Sequence, residues 1–112
     1  MPKYLIQGSY SGEGLKGLLK EGGSKRREAA EQSVKGLGGR LEAFYYAFGN
    51  DDFVVIVDLP SNVDASALSL TANATAAVKS RMTVLITPEE IDQATKRTVK
   101  FRPPGMVNWN TI

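Results

Sequence analysis

Residues 39–60 read GRLEAFYYAFGNDDFVVIVDLP, and this stretch decides the fold. Two apolar runs flank the sequence Gly-Asn-Asp-Asp, whose residue types favour a tight turn, so the stretch predicts a β-hairpin. Both strands are apolar on both faces, and a sheet built from such strands needs a covering layer on each side. Because the rest of the chain predicts helices for one side only, we expect a second copy of the protein to cover the other side.

The register of the hairpin follows if the turn is taken as residues 49–52. Large apolar side chains then pair on one face of the sheet: Phe48 with Phe53, Tyr46 with Val55, and Phe44 with Val57. The opposite face mixes apolar and polar residues, namely Ala43, Tyr45, Ala47, Val54, Ile56 and Asp58, together with Gln7 and Thr83 from other strands. Subunit interfaces tolerate polar groups that pair or hold water. We therefore predict a homodimer or larger homo-oligomer in which Tyr45, Thr83 and Gln7 lose their exposure.

The chain before the hairpin predicts one strand and two helical segments. Residues 3–10 have a strand pattern. Helical spacing follows in the three leucines Leu15, Leu18 and Leu19. We expect Ser24 to cap a second helical segment through Leu37, and the glycine pair Gly38-Gly39 to end it.

The chain after the hairpin predicts a helix, a strand and a shorter helix. The first helix begins near Asn62 or Asp64, and its predicted buried stripe is Val63, Ala67, Leu70 and Ala74. A strand over residues 78–86 follows. The sequence Thr87-Pro88-Glu89-Glu90 fits a capping box with proline in the first turn, so a short helix to about Lys96 is expected.

This order, β-α-β-β-α-β, predicts an α+β fold of the ferredoxin-like type. It comprises an antiparallel four-stranded sheet with the main helices on one face, an extra C-terminal helix and an extended arm. We assign residues 1–98 to the domain and residues 99–112 to the arm. The prolines of the arm prevent a continuous helix. Its Phe101 and Trp109 are expected to pack either on their own subunit or on a partner.

The composition excludes several kinds of chemistry. The 112-residue chain contains no histidine and no cysteine. Disulfides, thiolate metal sites, a Ser-His-Asp triad and histidine-ligated haem are therefore excluded, and we expect no metal and no cofactor.

Charge and hydropathy restrict the partners and the compartment. The net charge is +2, and the cluster Lys25-Arg26-Arg27 has no interleaved aromatic residues, so no nucleic-acid partner is expected. We interpret this cluster as a solvated helix face, with anion binding as the less favoured alternative. No apolar run approaches the ~20 residues of a membrane span, and the N-terminus does not have a signal-peptide pattern. We expect a cytoplasmic protein without a membrane partner.

Several motifs resemble the GYD domain family of small, uncharacterised bacterial proteins. They are YLIQGSY at 4–10, EGLKG at 13–17, the glycine pair at 38–39, the hairpin at 44–57, TPEE at 87–90 and RPPG at 102–105. Where the family has glycine, a variable residue, an aromatic residue and aspartate, this chain has Gly49, Asn50, Asp51 and Asp52. The resemblance implies a dimeric α+β barrel, in which two ferredoxin-like sheets pack face to face, and it implies no established activity.

Five residues are candidates for a ligand site. Asn50, Asp51 and Asp52 bring two neighbouring carboxylates together, although these residue types also suit a solvated turn. Tyr10 and Tyr45 could hold an aromatic ligand or donate a phenol proton, although strand aromatics usually belong to a core or an interface.

Three functions remain open at this point. The first is an oligomeric module that binds a small, partly apolar molecule in a pocket between helices and sheet. The second is a cofactor-independent enzyme resembling a monooxygenase or isomerase. The third is an assembly or regulatory module whose pocket is filled by its own side chains. A structure distinguishes the third from the others, because it shows either a void of ligand size or a filled core.

Overall fold

The structure, a computed structural model, describes residues 1–106. Four strands form one sheet: β1 (Lys3–Tyr10), β2 (Arg40–Tyr46), β3 (Phe53–Asp58) and β4 (Val78–Leu85). All neighbouring strands are antiparallel, in the order β2-β3-β1-β4. The helices of the described chain are α1 (Gly12–Glu21), α2 (Gly23–Gly36), α3 (Asn62–Ala74) and α4 (Pro88–Thr95). The predicted ferredoxin-like α+β fold is confirmed.

The predicted register of the hairpin is wrong by two residues. Tyr46 lies opposite Phe53 and Phe44 lies opposite Val55. The connection is longer than expected because Asp52 is held by β1, where its backbone N–H donates to the Gly8 carbonyl at 2.7 Å. Phe48 therefore leaves the strand and is fully exposed. A shift of two residues preserves the side-chain alternation, so the two faces of the sheet are as predicted.

A β-bulge in β2 interrupts the alternation of its side chains between the two faces of the sheet. The pairing passes from Ala43 opposite Ile56 to Leu41 opposite Val57, which leaves Glu42 as the extra residue. The bulge directs Leu41 toward the helices, where it is buried, and Glu42 toward solvent.

The hydrophobic core lies between the sheet and the two helices α2 and α3. Its buried members are Tyr4, Val34, Leu41, Phe53, Val55, Val57, Leu59 and Ala65. The Tyr4 hydroxyl, at the edge of this core, donates to the Asn62 Oδ1 atom at 2.6 Å. The core thus reaches from β1 to the start of α3 without leaving the phenol unpaired.

The start of α2 differs from the prediction, whereas its end agrees with it. Gly22, with φ of 87°, precedes the helix, so Ser24 lies inside the first turn and is not the cap. Gly38 has φ of 83°, which favours glycine at a helix end. At Gly39, a Cβ atom would lie 2.2 Å from the Asp58 carbonyl oxygen, so only glycine allows this close approach of the chain to β3.

The predicted buried stripe of α3 is wrong. Val63 and Leu70 are 78% and 72% exposed. Ala67 and Ala74 are exposed as well. The helix instead turns Ala65, Leu68 and Ala72 toward the sheet.

Hydrogen bonds between α3 and β4 explain this rotation of α3. The Asn73 side-chain amide donates to Ser80 Oγ at 3.2 Å, and the Ser80 backbone N–H donates to Asn73 Oδ1 at 2.8 Å. Ser61 caps the other end of the helix by accepting from the Asp64 N–H. Periodicity of apolar residues alone does not reveal a rotation set by hydrogen bonds.

The C-terminal part of the described chain extends away from the sheet and helices. The capping box of α4 is present as predicted, with Thr87 and Glu90 bonded reciprocally. Every residue from 86 to 102 is nevertheless exposed. Of the two aromatic anchors expected in the arm, Phe101 is 53% exposed and Trp109 lies outside the described residues, so the packing of the arm stays a prediction. The division of the chain at residue 98 also stays a prediction. Between residues 1 and 106 there is no helix with the length and apolarity to cross a membrane.

Candidate functional site

A cavity of about 260 Å³ lies between the helix layer and the sheet. Its apolar walls come from the strands and from α2 and α3: Ile6, Ala29, Ala30, Val34, Leu41, Phe44, Phe53, Val55, Val57, Leu68, Ala72, Val78 and Met82. The small residues on the helices create the space. Ala30 on α2 and Ala72 on α3 stand where larger side chains would close the gap between the layers.

The polar lining of the cavity is sparse. It consists of Tyr10, Arg26, Ser33, Ser69 and Ser80. Arg26 is the one charged residue in the lining that the structure describes, and no carboxylate joins it there. An apolar chamber with a few polar groups at its boundary is the usual design of a small-molecule site.

Tyr10 ends β1 and connects the cavity to the acidic turn. Its ring packs against Phe53 with centroids 5.2 Å apart. Its backbone N–H donates to the Asp52 carboxylate at 2.9 Å. Burial, together with the neighbouring Tyr46, raises the pKa of the Tyr10 phenol to about 12. Tyr10 is therefore a neutral hydrogen-bonding group at physiological pH rather than a base.

Tyr46 lines a second, shallower depression of about 300 Å³. Its hydroxyl donates to the Gly23 carbonyl at 3.1 Å, which ties β2 to the start of α2. The depression is lined by Tyr10, Tyr46 and Asp52 together with residues of α1 and the hairpin loop: Leu15, Leu18, Gly23, Ala47 and Phe48. Tyr10 thus lines both the cavity and the depression, whereas Tyr46 lines the depression alone.

The acidic turn uses its carboxylates in two separate structural contacts. Asp51 accepts two hydrogen bonds from the Arg81 guanidinium, both at 3.0 Å. This pairing holds the pKa of Asp51 below its usual value. The Asp52 carboxylate instead binds the Tyr10 N–H, and the Asn50 carbonyl accepts from the Ser9 hydroxyl at 3.5 Å. Within residues 1–106, no cluster of three or more acidic side chains is arranged to hold a metal ion.

The five predicted site residues do not form one group. Tyr10 lines the cavity, and the Asp52 carboxylate accepts a hydrogen bond from the Tyr10 backbone N–H. Asn50 and Asp51 lie in the loop and do not line the cavity. Tyr45 lies on the opposite face of the sheet and is 69% exposed. The role of all five in ligand binding stays a prediction.

Arg26 is the residue that sequence reasoning placed wrongly. The sequence predicts a solvated face for the cluster Lys25-Arg26-Arg27, and this is correct for Lys25 and Arg27, since both are exposed. Arg26, however, precedes Ala30 by four residues and shares its helix face, so it reaches the cavity. This four-residue spacing is the feature of the sequence from which the position of Arg26 could have been predicted. No comparable pattern in the sequence indicates that Ser33, Ser69 and Ser80 line the cavity.

The fold and the cavity define a ferredoxin-like α+β domain with a chamber between its two layers. The model of the GYD domain family matches residues 4–95 of this chain. Because the match spans most of the chain, the protein belongs to the GYD domain family, as its motifs indicated. Comparison with curated proteins and with solved structures finds no match.

Proposed function

We propose that the protein binds a small, largely apolar molecule in the cavity between its helices and its sheet. The observation that carries this proposal is a volume of about 260 Å³ with apolar walls and a polar boundary. An apolar protein cavity of ~150 Å³ is large enough to take up benzene. The space here suits a single ring with one substituent.

Binding without catalysis has more support than the enzyme alternative. General acid–base catalysis works best when the pKa of the catalytic group lies near the working pH. The ionisable groups of the lining, as far as the structure describes it, are Tyr10, whose pKa is raised to about 12, and Arg26. Neither is suited to remove a proton at neutral pH. The third option, a module whose core is filled, is disfavoured by the cavity itself.

Thermal unfolding in the presence of benzyl alcohol tests the proposal. Ligand at ten times its dissociation constant stabilises a protein by about 1.4 kcal/mol, which corresponds to several degrees in Tm for a domain of this size. We expect this shift in the wild-type protein and in Ala67→Leu, whose site is on the exposed side of α3. We expect a clearly smaller shift in Ala72→Leu, whose added carbons take up part of the cavity. Equal shifts in both variants, or no shift in any protein, would overturn the proposal.

We also propose that the protein acts as a homodimer that covers the open face of its sheet. Apolar side chains occur on this face at Leu5, Tyr45, Val54, Ile56 and Leu85, and none of them is buried by residues 1–106. Interfaces are enriched in such aromatic and aliphatic groups beside polar ones. The family resemblance, with its face-to-face sheets, supports the same arrangement.

The exposure of α4 is a second reason to propose a partner. An isolated helix shorter than about 12 residues is marginal in water, because its few hydrogen bonds do not offset the cost of nucleation. The eight residues of α4 are all exposed, and Ile91 on it is 47% exposed. Phe101, beyond the helix, is 53% exposed. A second subunit would supply the surface that this segment needs.

Light scattering coupled to size-exclusion chromatography tests the dimer. We expect wild-type protein to elute at twice the mass of one chain. Tyr45→Glu, on the open face, should shift it toward the monomer, whereas Leu19→Glu should not, because Leu19 is an exposed residue of α1 on the helix side. A wild-type monomer at micromolar concentration would contradict the dimer and leave the cavity proposal intact.

A further inference from the structure

The positive charge of Arg26 in the cavity lining indicates which chemical class of ligand the cavity prefers, an inference that rests on the proposed binding function. We propose that the cavity takes a small organic monoanion, an aromatic or aliphatic carboxylate, with its carboxylate against Arg26 and its apolar body between the sheet and α3. The inference rests on a cation that no carboxylate accompanies in the described lining of the cavity. A carboxylate is the ligand group that a guanidinium binds most strongly, through charge-assisted and often bidentate hydrogen bonds.

The ion pair that Arg26 already makes does not saturate it. Its Nη1 atom lies 3.5 Å from an oxygen of Glu21, and the two side chains are 38% and 47% exposed. A single long contact between partly exposed groups is worth little. A guanidinium carries five N–H donors in a planar fork that fits a carboxylate. Arg26 therefore retains donors for a ligand while Glu21 stays outside the cavity lining.

Tyr10 lies close enough to Arg26 for the guanidinium to influence its phenol. The phenol stays protonated at neutral pH, so it can donate a hydrogen bond to the same carboxylate. One charged donor and one neutral donor at the same end of the cavity match a monoanion. A phosphate ester, with nearly two charges, would need more cations than the lining contains.

The remaining walls determine the body of the ligand. Val55, Leu68 and Met82 present apolar surface beyond the charged end, and the volume of about 260 Å³ limits the ligand to about one ring. A cationic ligand would place two positive charges together in an apolar space. We therefore expect the preference to run from anion to neutral molecule to cation for ligands of equal size.

Three probes that share a phenyl ring and differ in charge test the inference: anionic benzoate, neutral benzyl alcohol and cationic benzylamine, titrated by calorimetry at pH 7. We expect benzoate to bind about tenfold more tightly than benzyl alcohol, the effect of one charge-assisted hydrogen bond in a partly exposed setting. Arg26→Gln should abolish this preference. Arg26→Lys should restore part of it, because it keeps the charge and loses the fork.

Two further variants distinguish a direct contact between Arg26 and the ligand from a general effect of the positive charge on α2. Arg27→Gln removes the same charge from the same helical turn at an exposed position and should leave the preference intact. Glu21→Gln removes the competing carboxylate and should strengthen benzoate binding with no effect on benzyl alcohol.

The outcomes distinguish this inference from the function on which it rests. Equal affinity for benzoate and benzyl alcohol in the wild-type protein, or a benzoate preference that survives in Arg26→Gln, would overturn the inference while cavity binding stands. Failure of all three probes to bind would overturn the proposed function together with it. The wild-type comparison decides the inference even if a variant does not fold.

Discussion

Replacing Ala72 by leucine should stabilise the protein, because the change fills a space that is already present. Ala72 lines the cavity of about 260 Å³, so the added carbons gain apolar contacts without displacing a neighbour. Three additional carbons contribute up to about 2.4 kcal/mol at 0.8 kcal/mol per buried methylene. The loss of leucine rotamer freedom costs about 0.5–1 kcal/mol, and imperfect fit removes more. We expect a net gain of about 1 kcal/mol in the free energy of unfolding.

Urea denaturation followed by circular dichroism measures this gain, at one fixed protein concentration because oligomers unfold in a concentration-dependent way. Ala67→Leu is the matched control, since it makes the same change on the exposed side of the same helix. Its expected effect lies within about 0.5 kcal/mol of zero. A loss of more than about 1 kcal/mol in Ala72→Leu, the usual result of overpacking, would show that the site is already filled.

Two further predictions concern Asp58 at the end of β3 and Gly39 just before β2, two strands that pair at one side of the sheet. The Lys3 ammonium and the Arg40 guanidinium, at 2.8 and 3.0 Å, hold the pKa of Asp58 below its usual value. The ionised Asp58 carboxylate therefore stabilises the fold above its unfolded pKa of about 3.9, and this stabilisation is lost as pH falls through the lower folded pKa. The difference in urea stability between wild type and Asp58→Asn should accordingly shrink between pH 6 and pH 3. A constant difference would contradict this. Gly39→Ala should lower stability by more than about 2 kcal/mol because its Cβ would meet the Asp58 carbonyl, whereas Gly36→Ala, in open space on α2, should raise it by about 0.4–1 kcal/mol. Thermal melts check this pair, and equal effects would refute the steric reason.

The elements predicted best are those that local chemistry determines. The sequence Thr87-Pro88-Glu89-Glu90 forms its capping box because every partner lies within one helical turn. Gly38 ends α2 through its own positive φ. The faces of β2 and β3 also follow from local alternation, and they survive a register shift of two residues.

The elements predicted wrongly depend on contacts between distant residues. The rotation of α3 is determined by Asn73 binding Ser80 across to β4, so Val63 and Leu70 face solvent although their spacing resembles a buried stripe. The loop of the hairpin is longer because Asp52 binds β1. Neither contact has a signature in a single sequence.

The candidate site was predictable only in part for the same reason. The sequence predicts Tyr10 as a ligand-binding residue from the chemistry of its phenol, and Tyr10 lines the cavity. The sequence does not distinguish Arg26 from its neighbours Lys25 and Arg27, which are both exposed to solvent. A cavity arises from residues that are too small to fill a space, such as Ala30 and Ala72, and a sequence shows the alanines without showing the gap.

The most direct test of the account is a titration of isotope-labelled protein with benzyl alcohol, followed by NMR. The account predicts saturable shifts and intermolecular contacts at the methyl groups of Val55, Leu68 and Met82, which line the cavity, and none at Thr83 on the open face of the sheet. These effects should weaken in Ala72→Leu and persist undiminished in Ala67→Leu. Contacts confined to the open face, or no saturable change at the cavity methyl groups, would contradict the claim that the space between helices and sheet is a binding site.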